Sequence, residues 1–360
     1  SKEALAELKT KLEFALSRLN DQDTQRTGVE EIREFLQSLY PDWFPMAISC
    51  IGEAGANLKP LGRCESVKLL GLMAELHGEM VVPLLQRILQ VVLTRLQDAD
   101  LHLREACAET VYRLARSLVL DGVEGSPVFA SLLKPLFNAL SEHNKTVQIG
   151  AASCICQVIQ GSPAIVVREN LSRLCSRLIQ HLNLPLLVAK PQLLTACVNT
   201  LRMVDGADFD EVLPSLMPCL EGCLASTTDW QTRKQAVEVL QAVGDNPELG
   251  ASLEIPLPQD PSVKPTPLQR RIAPALEALK SDKVRAVREV AKDALLRWCV
   301  ASKTLSMAMT HSLTAPPPPS MRTSSPTPGA SAPPMGSMPA WAAESVLASG
   351  TGGGRSATAR

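Results

Sequence analysis

The chain has 360 residues, 45% of them apolar and 20% charged, with a formal net charge of −1. That balance offers no basic footprint for nucleic acid, and no uninterrupted apolar run approaches the ~18 residues of a membrane-spanning helix. The apolar content suffices for a large core, yet only 3% of residues are aromatic and no run alternates as a strand does, so an all-α fold is expected.

In chain order, the segment from Lys2 is charged and amphipathic instead of resembling a cleavable leader, and a cytoplasmic protein is expected. A short turn segment then recurs between helix-like stretches. Its clearest copies are Asp98-Ala-Asp-Leu-His-Leu-Arg104 and Asp282-Lys-Val-Arg-Ala-Val-Arg288, in which an acid opens the turn and an apolar-then-basic pair starts the next helix. Weaker copies end at Arg26, Arg63, Gln148, Lys190 and Arg233, so that successive copies lie 37, 41, 44, 42, 43 and 55 residues apart. This is the period of a two-helix repeat stacked into a solenoid.

The helices that follow the turns keep one register. Cys107, Val111, Leu114 and Leu118 are spaced i, i+4, i+7, i+11, as are Val147, Ala151, Cys154 and Val158, and Val287, Ala291, Ala294 and Trp298. Pro45, Pro83, Pro135, Pro214 and Pro274 recur inside or at the start of the preceding helices, where proline begins or kinks a helix. Together these features are the pattern of HEAT repeats. The expected architecture is a HEAT-repeat α-solenoid of about seven helix pairs over residues 1–303, with one Pro-rich loop insertion at 244–267.

Residues 304–360 hold Pro316 to Pro319, much Ser, Ala and Gly, and only four charged residues, a composition that reads as a disordered tail. Within it, Trp341 to Leu347 is either a short amphipathic docking segment or an incidental part of the disordered stretch. Ser325-Pro326 and Thr327-Pro328 are plausible phosphorylation sites.

Catalysis and metal binding find no support in the residue pattern. The ten cysteines are scattered along the helices, several on apolar stripes, and neither Cys154 with Cys156 nor Cys219 with Cys223 has companions at zinc spacing. Reduced core thiols are expected. The histidines, His102 and His143 among them, have no partner that would complete a nucleophile or metal centre. The glycines of Thr351 to Arg355 follow no strand and form no phosphate loop. No cofactor is expected.

The turns carry the functional signal. Arg26, Lys59, Arg63, Arg104, Lys145, Lys190, Arg233, Lys234, Lys283, Arg285 and Arg288 lie in or beside them. Turns of this kind fall on one edge of a solenoid, so these residues should form a basic ridge facing an acidic partner, with the compensating acids mostly elsewhere. A structural reading competes for four residues, because Asp98, Arg104, Asp282 and Arg288 are placed to hydrogen-bond within and between repeats. Mid-turn residues have no such duty, which makes Lys145, Trp230, Lys283 and Arg285 the better binding candidates. Trp230 is the sharpest, as an exposed aromatic suits an interface anchor, although it can also fold back on its neighbour.

Five segments in order carry a resemblance. Asp21-Gln-Asp-Thr-Gln-Arg-Thr-Gly-Val-Glu-Glu31, His143-Asn-Lys-Thr-Val-Gln-Ile-Gly-Ala-Ala-Ser-Cys154, Val188-Ala-Lys-Pro191, Asp229-Trp-Gln-Thr-Arg-Lys234 and Asp282-Lys-Val-Arg-Ala-Val-Arg288 resemble the N-terminal array of the plant Tortifolia/Spiral-type microtubule-associated proteins. The resemblance implies a TOG-like array whose intra-repeat turns contact tubulin, and it adds His102 and Asn144 to the ridge residues as tubulin-facing positions. It also implies a place on the microtubule cytoskeleton, and further binding or self-associating sequence outside the array. Thr24 stands where the wider TOG family carries an aromatic anchor, which points to lattice binding over capture of soluble tubulin. The chain opens without Met and is read as part of a longer protein. No membrane partner is implied. From the array alone, a scaffold or nuclear transport adaptor fits as well.

Overall fold

In a computed structural model, the described residues are 2–122, 125–205, 208, 211–245 and 267–298. Most of the expected insertion, the whole expected tail and the side chain of Trp298 lie outside them. So do Trp341 to Leu347, Ser325 and Thr327.

Every regular element among the described residues is helical. The first four helices are α1 (Lys2–Ser17), α2 (Gln22–Gln37), α3 (Phe44–Ala56) and α4 (Pro60–His77). They are followed by α5 (Leu85–Arg95), α6 (Leu101–Leu118), α7 (Gly125–Ala139), α8 (Lys145–Gly161) and the short α9 (Ala164–Glu169). The array continues through α10 (Leu171–Leu182), α11 (Lys190–Met203), α12 (Leu213–Leu224), α13 (Trp230–Asp245), α14 (Pro267–Leu279) and α15 (Arg285–Trp298). The expected insertion therefore overlaps helix at both ends, since Asp245 closes α13 and Pro267 opens α14.

Two layers result. Helices α2, α4, α6, α8, α11, α13 and α15 pack side by side as one layer, each against the next. The second layer runs through α1, α3, α5 and α7, then through α10, α12 and α14, with α9 bridging from α7 to α11. Each second-layer helix also packs on its partner in the first, α1 on α2 through to α14 on α15. This is the α-solenoid expected from the turn period.

The apolar stripes supply the core between the layers. Cys107, Val111 and Leu114 are fully buried, as are Ala151, Cys154 and Val158 of α8 and Val287, Ala291 and Ala294 of α15. Each large aliphatic side chain so buried contributes roughly 1.5–3 kcal/mol, which a single amphipathic helix could not realise without neighbours on both sides. Pro45 and Pro214 sit in the first turns of α3 and α12, where no intrahelical N–H is required, while Pro135 and Pro274 lie within α7 and α14. Pro83 falls in a 3-10 segment, Gly78–Leu84, that connects α4 to α5.

That connection also interrupts a long apolar stretch. A window within Pro60–Arg95 reaches a mean hydropathy of 1.2, but Gly78 adopts φ +53° and breaks the helix there. Within Pro60–Arg95, Val67, Leu69 through Ala74, Val81, Leu85, Ile88, Leu89 and Val92 are buried in the stack, so the inward face of both helices serves as solenoid core.

Candidate interaction edge formed by the intra-repeat turns

The turn residues first satisfy orphan N–H groups at the start of five of the seven first-layer helices, α2, α6, α8, α13 and α15. Asp21 accepts from the Asp23 N–H at 3.2 Å, Asp100 from His102 at 3.0 Å and Asn144 from Thr146 at 2.9 Å. Asp229 Oδ1 accepts from Gln231 at 2.9 Å and Asp282 Oδ1 from Val284 at 2.8 Å. Each such cap is worth about 1 kcal/mol. Asp21, Asp100, Asp229 and Asp282 therefore stand on the same edge as the cations, because a helix that starts there needs a short acceptor.

Basic and amide side chains then tie several turns to themselves. Arg104 Nη1 donates to the carbonyls of Asp98 at 3.1 Å and Ala99 at 3.0 Å, and Arg288 Nη1 to those of Asp282 at 2.8 Å and Lys283 at 3.1 Å. Gln148 Nε2 does the same to the Glu142 carbonyl at 2.8 Å. A further set links one turn to the next. The Lys59 N–H donates to Asn20 Oδ1 at 2.7 Å, Arg63 pairs with Asp98 at 3.4 Å, and the Val188 N–H donates to Gln148 Oε1 at 3.2 Å. Arg233 grips Asp282 with two bonds, at 2.7 and 3.0 Å, and donates to the Ser226 carbonyl at 2.8 Å. Hydrogen bonds from Arg233, ahead of the Val284 N–H, hold the Asp282 carboxyl below its ordinary range. Four of the six neighbouring pairs of turns are thus bonded to each other along one edge.

These bonds sort the expected binding residues. Arg233 is only 9% exposed and its guanidinium is committed to Asp282 and Ser226, so it belongs to the stacking contacts and not to a binding surface. The Asn144 side chain is likewise engaged as a helix cap. Lys234, Arg285 and His102 reach carboxylates on their own helices, Glu238 at 3.0 Å, Glu289 at 2.6 Å and Glu105 at 3.4 Å. Arg26, Lys59, Lys145 and Lys283 are exposed, Lys190 is half-buried, and none of the five has an ion pair among the described residues. Thr24 donates its hydroxyl to the Arg18 carbonyl at 2.9 Å, a structural bond within the first repeat.

Trp230 occupies the first position of α13, 39% exposed, and lines a groove of about 220 Å³ between α11 and α13. It is thus neither a bare tip nor folded away. The sequence reading missed the apolar residues of the same edge: Leu61 and Leu101 in the first turns of α4 and α6, and Leu186 in the turn before α11. Leu186 is 89% exposed. Its signal was the run Leu184-Pro185-Leu186-Leu187, too apolar for a solvated turn, of which only Leu187 enters the core.

The cysteines differ from this edge in character. All nine described cysteines are buried free thiols. Burial pushes Cys107, Cys156 and Cys175 up to about 12, so they stay protonated and inert. No group of three or more His, Cys, Asp or Glu is positioned to hold a metal among the described residues.

The chain matches the TORTIFOLIA1 N-terminal family over residues 6–300. It is 32% identical over 302 residues to the Arabidopsis thaliana protein named Microtubule-associated protein TORTIFOLIA1, a match covering 82% of this chain and 33% of that protein. It is 33% identical over 300 residues to TORTIFOLIA1-like protein 2 of the same organism, covering 83% and 34%. The chain thus spans about a third of the length of these curated relatives. Among solved structures, Kap121p bound to Nup53p superposes with a TM-score of 0.59 at 16% identity, over 81% of this chain and 29% of that one. At that identity the likeness concerns the helical-repeat fold.

Proposed function

This chain belongs to the TORTIFOLIA1 N-terminal family, and from that premise we propose that it binds microtubules, through the edge formed by its intra-repeat turns. The observation that supports the reading is the set of unpaired cations on that edge, Arg26, Lys59, Lys145, Lys190 and Lys283, interspersed with exposed Leu61, Leu101 and Leu186. Tubulin is strongly acidic, so the cations steer encounter and each contributes roughly 0.2–1 kcal/mol, weakened by salt. The leucines supply apolar contact between them. Because most neighbouring turns are bonded to one another, the groups are held in place before contact and little entropy is lost on association.

On this reading the protein acts by binding, without catalysis, on the cytoplasmic microtubule cytoskeleton. The array engages the lattice, and self-association is left to sequence outside it. Arg285 and Lys234 add less than the five unpaired cations, since binding a partner would require them to leave Glu289 and Glu238.

The test is microtubule co-sedimentation of the full chain across a salt series, with Lys59→Glu, Lys145→Glu and Lys283→Glu combined. Each reversal replaces an attraction of roughly 0.2–1 kcal/mol with a comparable repulsion, so the triple variant should bind at least about tenfold more weakly at low salt. None of the three side chains makes a stacking contact, so the helical circular dichroism should be unchanged. Unaltered co-sedimentation of the folded variant would remove the turn edge from consideration.

A further inference from the structure

The groove between α11 and α13 is a surface of a different kind from the turn edge. Pro191, Gln192 and Thr195 on α11 line it together with Trp230, Lys234 and Gln235 on α13. No carboxylate is among its lining residues. It lies on a stretch of the first layer that carries little charge: α8 has only Lys145, and α11 only Lys190 and Arg202. Ser153, Gln157, Thr195 and Asn199 are half-buried on these two helices, presenting hydroxyl and amide groups where first-layer helices α4 and α6 instead present Glu65, Lys68, Glu105 and Glu109. What charge there is on α8 and α11 is cationic.

The polar groups of the groove are incompletely paired. The Thr195 hydroxyl shares its proton between the Pro191 carbonyl and, across the groove, Gln235 Oε1, both at 3.1 Å, and the Gln235 NH2 group, with no partner among the described residues, is available to a ligand. Gln192 Oε1 is buried with no hydrogen-bond donor among the described residues. A buried amide oxygen without a donor is a costly arrangement, and a short rotation of the flexible Gln192 side chain would offer it to an N–H group in the groove. Trp230 supplies a flat apolar wall beside it. An acceptor, a donor and an aromatic face within one groove match the alternating N–H and C=O groups of an extended polypeptide backbone. At about 220 Å³ the groove is smaller than the ~300–1,000 Å³ that encloses a drug-sized ligand, which suits a strand crossing it.

We propose that the groove between α11 and α13 binds an extended acidic peptide, with Gln192 and Gln235 engaging its backbone, Trp230 packing on a side chain, and Lys190 with Lys234 setting the preference for carboxylates. Lys190 has no ion pair among the described residues, and Lys234 can exchange Glu238 for a peptide carboxylate of equal charge. The inference does not rest on the microtubule reading. The two share Lys190, but this one turns on Gln192, Gln235 and Trp230, whereas that reading turns on the other unpaired cations and the exposed leucines.

The experiment uses the full chain and a fluorescein-labelled peptide, (Glu-Ala)4, titrated at low salt and followed by fluorescence polarisation, with (Lys-Ala)4 as the counter-probe. Saturable binding of (Glu-Ala)4 is expected, with (Lys-Ala)4 at least about tenfold weaker. Gln192→Leu and Gln235→Leu, each checked by circular dichroism and tested separately in case one fails to fold, should each weaken binding at least about fivefold. Failure of (Glu-Ala)4 to saturate, equal binding of the two peptides, or parental affinity in both folded leucine variants would overturn the proposal. Microtubule co-sedimentation of the same samples reads the turn edge separately, so either result can fail while the other holds.

Discussion

Substituting Asp282→Ala should destabilise the end of the array far more than the equivalent Asp98→Ala destabilises its middle. The two aspartates occupy the same place in their turns, but their surroundings differ. The Asp282 side chain is 7% exposed and its Arg233 partner 11%, with two bonds between them. Removing the carboxylate leaves a nearly buried guanidinium with only the Ser226 carbonyl, for which breaking a buried pair costs about 3–5 kcal/mol. Each substitution also loses one bond from a turn N–H, Val284 to Asp282 and Asp100 to Asp98, about 1 kcal/mol in both cases, so the ion pairs decide the difference. Asp98 is 26% exposed and meets Arg63, 25% exposed, through one contact at 3.4 Å, so that pair is worth about 1 kcal/mol or less. The assay is urea unfolding followed by circular dichroism, paired with amide hydrogen exchange, since a repeat array need not unfold in one step. Exchange should accelerate mainly in α13 to α15. Equal losses at the two positions, or a loss below about 1 kcal/mol for Asp282→Ala, would refute the argument that burial of the pair decides its weight.

The pH dependence of the same pair has a definite sign. Because the folded Asp282 carboxyl titrates below its ordinary value of about 4, its stabilisation is complete above that pH and is lost as pH falls through the lowered value; protection of α15 amides that stayed constant on acidification below pH 4 would contradict this. Gly161→Ala should cost about 1–3 kcal/mol, since a Cβ there would sit 2.7 Å from the Tyr112 carbonyl oxygen and neither backbone can yield freely; an unchanged melting temperature would show that α6 and α8 move apart easily. Leu186→Ser should leave stability within about 0.5 kcal/mol of the parent while weakening microtubule co-sedimentation, the reverse pattern marking Leu186 as a packing residue. The buried thiols should react with a thiol reagent only on unfolding, so rapid labelling of most cysteines in the native protein would mean that the core opens far more readily than its packing suggests.

By itself the sequence determined the repeat period, the helical class and the inward stripes. These are local properties: a turn of fixed length, an acid that caps a helix, and apolar residues returning at 3.6-residue spacing all act within one repeat and recur at intervals of about forty residues. The tertiary structure decided which turn cations remain available. Arg26, Lys145 and Arg233 look alike in sequence, but Asp282 lies 49 residues beyond Arg233 and stacking alone brings them together. The same stacking closes the groove beside Trp230 from two helices whose facing residues lie about forty positions apart, and leaves Leu186 in solvent while Leu187 enters the core. Charge pairing, groove shape and exposure depend on what the neighbouring repeat presents, and that is settled only when the repeats pack.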